Sequence, residues 1–87
     1  MQVSAMPWFQ FIWDESEGGN VEHVAQHDLT REDVEHVVQN PECLLKSRSS
    51  GRPALKGYTA DGRYVFVAYE QVDPMTVYVV SAYEVES

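Results

Sequence analysis

The stretch from Arg63 to Val85 constrains the fold of this chain more than any other. RYVFVAYE (63–70) and TVYVVSAYEV (76–85) are β-branched and aromatic runs separated only by QVDPM. Residues of this kind suit a pleated, half-buried surface, so both runs are expected to be strands joined by a short turn. Strict alternation puts Tyr64, Phe66 and Ala68 on one face of the first, and Val65, Val67 and Tyr69 on the other. In the second it sets Tyr78, Val80 and Ala82 against Val77, Val79, Tyr83 and Val85. Both faces are apolar, so a sheet built from these strands needs cover on two sides.

The rest of the chain offers cover for one side. WFQFIW (8–13) has the composition of a first strand, and Asn20 after a glycine pair suits a helix N-cap. Val21, Val24 and Ala25 then share a helical face. A second helix is better punctuated. Thr30 is its expected cap, Glu32 and Asp33 lie in the first turn, and Leu29 and Val34 have the spacing of a hydrophobic staple. Val34, Val37 and Val38 form the apolar stripe, and Asn40-Pro41 ends it. Strands are expected at 42–47 and 54–59, with Asp61-Gly62 as a hairpin turn before 63–70.

The order β-α-α-β-β-β-β predicts a single α+β domain with a core over about 9–85, two short helices packed on one face of an antiparallel sheet. The other face is left for a partner protein, a second copy in a homodimer or a stacked ligand, unless the sheet bends to close on itself.

Charge sharpens the functional question. The chain has 14 acids against 6 Lys and Arg, a net charge of −8. Five of those cations, Lys46, Arg48, Arg52, Lys56 and Arg63, fall between 46 and 63 beside one acid, Asp61. A polyanion is repelled by the body as a whole, so contact with RNA requires this local basic patch. The segment is otherwise a solvated loop and hairpin. The single cysteine, Cys43, has no internal partner, and no apolar run nears the roughly 20 residues that span a bilayer. The expectation is a cytoplasmic protein without a signal peptide or membrane contact.

Several of these elements together resemble the BrnT family of type II toxins. They are Trp13-Asp14 at the end of an aromatic strand, Asn20, His27, Thr30 and Asn40-Pro41, with Gly57-Tyr58-Thr59, Gly62-Arg63 and Val79-Val80-Ser81-Ala82 toward the C-terminus. The resemblance runs over 9–85. It implies a RelE-like fold with a curved sheet, an endoribonuclease activity and a neutralising antitoxin protein. Where the family commonly has lysines this chain has Glu17 and Gln26, the pattern of a divergent or inactive relative.

Metal-free RNA cleavage needs a base for the 2′-hydroxyl, cationic donors for the phosphorane and an acid for the leaving oxygen. His27, Arg52, Arg63 and Tyr83 are the candidate catalytic residues, and Arg48, Lys56, Tyr58 and Tyr64 the candidate substrate contacts. Guanidinium groups grip phosphate bidentately, tyrosine rings stack on bases, and an imidazole titrates near neutral pH. Each also has a plain structural role: the cations in solvated turns, the tyrosines covering a sheet, and His27 at a helix end. No cofactor is expected. His23 and His27 have the i, i+4 spacing of zinc ligands, but a site would need His36 or Cys43 to complete it.

Overall fold

The computed structural model describes residues 10–46 and 52–86. The elements are β1 (Gln10–Ile12), α1 (Asn20–Ala25), α2 (Arg31–Gln39), β2 (Cys43–Lys46), β3 (Pro53–Tyr58), β4 (Tyr64–Asp73) and β5 (Thr76–Glu84). They form a small α+β unit with a five-stranded sheet ordered β1-β5-β4-β3-β2. None of the helices is long and apolar enough to cross a membrane, among the described residues.

The sheet is mixed rather than wholly antiparallel. β2 to β5 form an antiparallel meander, but β1 joins the far side of β5 in parallel, with Gln10 beside Thr76 and Ile12 beside Tyr78. Strand composition carries no direction. The two helices return the chain to the opposite edge of the sheet, and that return fixes the direction of β1.

α2 follows its local code closely. The Thr30 hydroxyl accepts from the Asp33 backbone at 3.1 Å, and Asp33 accepts from the Thr30 amide at 3.0 Å, a reciprocal capping box. Asn40 ends the helix, its side chain donating to the His36 carbonyl. Leu29, Val34, Val37 and Val38 are all buried. α1 departs from expectation. Its N-cap is Gly19, Asn20 lies inside the first turn, and of its apolar residues only Val24 is buried.

Both helices pack on the face that carries Leu55, Val65, Val67, Tyr69, Val77, Val79 and Ala82. Phe11 and Trp13 close one side of this core. A fully buried valine contributes about 1.5–3 kcal/mol, so such a core suffices for a domain of this size without covalent staples.

A break in alternation on β5 decides what lies on the other face. Val67 pairs with Ala82 and Ala68 with Ser81, but Tyr69 pairs with Val79, which leaves Val80 as an extra residue. This β-bulge shifts the phase of the strand. Alternation puts Ala82 with Tyr78 and Val80; instead Ala82 is in the core with Val77 and Val79. Tyr83, expected beside Val79, stands opposite Phe66 on the helix-free face.

Candidate functional site

The helix-free face carries an aromatic row. Tyr58 and Tyr64 face each other across β3 and β4 with ring centroids 4.6 Å apart. One step along, Phe66 and Tyr83 stack at 5.1 Å and 26° across β4 and β5. Lys56 stands opposite Phe66 on the other side, placing an ammonium on the face beside the rings. Tyr58 and Tyr83 are 41% and 36% exposed, so their rings meet solvent. The Tyr64 hydroxyl is held protonated well above the usual phenol range by its hydrogen bond to the Glu42 carboxylate, with burial and Cys43 adding to the effect.

Two histidines join the row at its β5 end. β1 runs beside β5 only as far as Tyr78, and α1 packs against the same strand. Ser81 and Tyr83 lie beyond that point, and α1 and the turn that follows it bring imidazoles to both. His23 Nε2 lies 3.3 Å from Ser81 Oγ, and the His27 ring lies 5.9 Å from that of Tyr83. The two imidazoles meet edge to face at 5.7 Å. His27, Tyr83 and Phe66 thus form a continuous chain of rings.

Asn20 positions α1 for this. Only 4% exposed, its side-chain amide donates to the carbonyls of Ile12 and Val79, both at 2.9 Å, and its oxygen accepts from the Asp14 amide at 2.7 Å. It thereby continues the β1–β5 ladder after β1 has ended. Gly19 is required beside it, because a Cβ there would collide with Asp14. The Asp14 carboxyl is held below its ordinary value by the Ser16 hydroxyl and amide.

The cations do not gather as their sequence positions suggest. Arg63 turns to the helical layer, where Nη2 pairs with Asp33 at 3.0 Å, Nε with Asp61 at 3.1 Å, and Nη1 donates to the Asp28 carbonyl at 2.8 Å. Asp28 closes the α1 turn at φ 62°, a conformation unusual for a non-glycine residue, and the Arg63 contact secures it. The Thr59 hydroxyl and then Arg63 hold the Asp61 carboxyl below its ordinary value, and Asp61 in turn raises the guanidinium. Arg63 is therefore a clamp between the β3–β4 turn and the helices, with its charge matched by two carboxylates. The shallow hollow of about 460 Å³ beside it is lined by Asp61, Glu84 and Glu86, an unfavourable setting for phosphate.

Arg52 lies 4.0 Å from Glu70 at the other end of the sheet, and Arg48 lies outside the described residues. Of the candidate residues, the structure brings together His27 and Tyr83 at one end of the row, and Lys56, Tyr58 and Tyr64 along it. Phe66 joins these two groups and had no signal in the sequence beyond its strand. His23 and His27 are adjacent, but among the described residues no group of three or more His, Cys, Asp or Glu is placed to hold a metal ion. No protein-family model matches this chain, and no curated protein or solved structure matches it either.

Proposed function

We propose that this protein is a BrnT-like endoribonuclease of RelE-like fold, which cleaves RNA without a metal and is neutralised by an antitoxin. The observation that carries this reading is the chain His27–Tyr83–Phe66 ending beside Lys56 on the sheet face opposite the helical layer. His27 removes the proton from a ribose 2′-hydroxyl, whose oxygen attacks the adjacent phosphorus. The P–O5′ bond breaks with its electron pair on O5′, which takes a proton from the Tyr83 hydroxyl. The products are a 2′,3′-cyclic phosphate and a free 5′-hydroxyl. Lys56 faces the negative charge of the phosphate, while Arg52, beside Glu70 at the other end of the sheet, stands outside the scheme. Arg63 has no part in this scheme, because its donors are committed to Asp33, Asp61 and Asp28.

The test is direct. Expression arrests growth, and the purified chain cuts single-stranded RNA in the presence of chelator. His27→Ala lowers the cleavage rate by about 10²–10⁴-fold, the usual weight of a general base. A folded chain that neither arrests growth nor cuts RNA ends this reading.

A second reading has its own support. Leu44 and Leu45 on the edge strand β2 are 68% and 38% exposed, and most of the protein is acidic. The two side chains face opposite sides of the sheet, and a non-catalytic interaction module, or a homodimer, would use the edge that carries them. Sedimentation showing a dimer, or recovery of a stable protein partner by a chain without ribonuclease activity, selects it.

A further inference from the structure

We propose that the two ring pairs are successive base-stacking stations, so that the site takes single-stranded polynucleotide with its bases spread apart and rejects duplex. The proposal rests on the ribonuclease reading for the cleavage step alone; the binding geometry stands separately. Tyr58/Tyr64 form one station and Phe66/Tyr83 the next. Tyr64 and Phe66 are about 6.7 Å apart along β4, and the first pair spans β3–β4 while the second spans β4–β5, a sideways step of about 4.8 Å, so the stations are about 8 Å apart. Bases stacked in a helix rise about 3.4 Å per step. Consecutive bases can occupy both stations only if they are pulled apart to more than twice that distance. A paired duplex cannot do this, and an extended single strand can.

Charge agrees with this occupant. Lys56 stands across from Phe66 at the level of the second station, where one phosphate of an extended strand would pass. Of the carboxylates near the row, Glu70, farther along β4, is paired with Arg52, while Glu42 accepts from the Tyr64 hydroxyl and keeps its negative charge. Binding therefore relies on the rings, with Lys56 as the single cation beside them among the described residues. Stacking addresses the face of any base and does not depend on sequence, so RNA and DNA single strands share the site. The 2′-hydroxyl matters only for the cleavage step.

The experiment titrates fluorescently labelled oligonucleotides with the full-length His27→Ala chain, so that bound RNA is not consumed. The probes are a short single-stranded RNA, the same RNA as a duplex, and the matching single-stranded DNA. Single-stranded RNA and DNA are expected to bind with similar affinity, at least tenfold tighter than duplex. In the same background Phe66→Leu and Tyr58→Leu, which keep apolar packing on the sheet, should each weaken single-strand binding roughly tenfold. Lys56→Gln should weaken it too and reduce the slope of log affinity against log salt by about one phosphate contact. Thermal unfolding of each variant confirms that it is folded.

Equal affinity for duplex, or Leu variants that bind like their parent, overturns the stations even if the wild-type chain cuts RNA. Single-strand binding that fails in the Leu variants, by a chain that cuts nothing, keeps the stations and ends the ribonuclease reading. A chain that binds no nucleic acid and sediments as a dimer gives the face to a second copy and overturns the proposal.

Discussion

The two faces of this sheet are built from the same strands and are both largely apolar, yet their chemistry differs. The helix-covered face is aliphatic at its centre, with Leu55, Val65, Val67, Val77, Val79 and Ala82 all at 0% exposure. The helix-free face has Tyr58, Tyr64, Phe66 and Tyr83, with Lys56 among them. Aliphatic side chains maximise packing density and offer no directional contact. Aromatic rings keep a flat face available after packing against each other and can take a planar ligand. A hydropathy count treats the two faces as equals. The choice of apolar residue distinguishes core from site.

Substitution tests that division. Leu55→Ala should be the most damaging change, at about 2–5 kcal/mol, seen as a lower midpoint in denaturant with an unchanged slope. Asn20→Ala comes next. It strands the carbonyls of Ile12 and Val79 and the amide of Asp14, and losing partners for buried groups costs about 1–3 kcal/mol. Because Asn20 seats α1, the same variant should lose cleavage beyond what its stability explains.

The Arg63 clamp should matter less, and it responds to acid. Asp61 has a folded-state pKa below the ordinary value of 3.8, so the unfolded chain takes up its proton first as pH falls. Its contribution is full above that range and is lost as pH drops through the lower, folded value. Asp61→Asn should therefore lower the melting temperature at pH 6, and the difference from the parent should shrink as pH falls through the lowered folded value. Phe66→Leu should change stability far less than Leu55→Ala, by about 0.5–1.5 kcal/mol for the lost ring pair, while weakening the proposed nucleic-acid binding roughly tenfold. If Phe66→Leu unfolds the protein as Leu55→Ala does, the helix-free face is a second core and the division between faces fails.

Where neighbouring residues decide a structure, the sequence is legible. The Thr30 box, the Val34-Val37-Val38 stripe, the Asp61-Gly62 turn and the β4–β5 hairpin each depend on interactions within a few residues. The features that sequence hides depend on partners far along the chain. Asn20 looks like a cap, and only the approach of Val79 makes its amide a substitute for backbone. Arg63 looks like one of five clustered cations until Asp33 and Asp28 come near it. The bulge at Val80 is invisible to alternation, and it carries Tyr83 across the sheet to Phe66 and so completes the row. The candidate residues are therefore largely present in the sequence, while their grouping is not.

The parallel pairing of β1 has a consequence for how the molecule is made. Gln10 meets Thr76 across 66 residues, whereas β2 to β5 are neighbours in the sheet in the order in which they follow along the chain. The meander can assemble as it leaves the ribosome, but β1, made before it, waits for β5 before it has a place. The Asn20 amide and the seat of α1 wait with it. The histidines thus reach the sheet only once β5 has been made, and any activity that depends on them begins at that closing step.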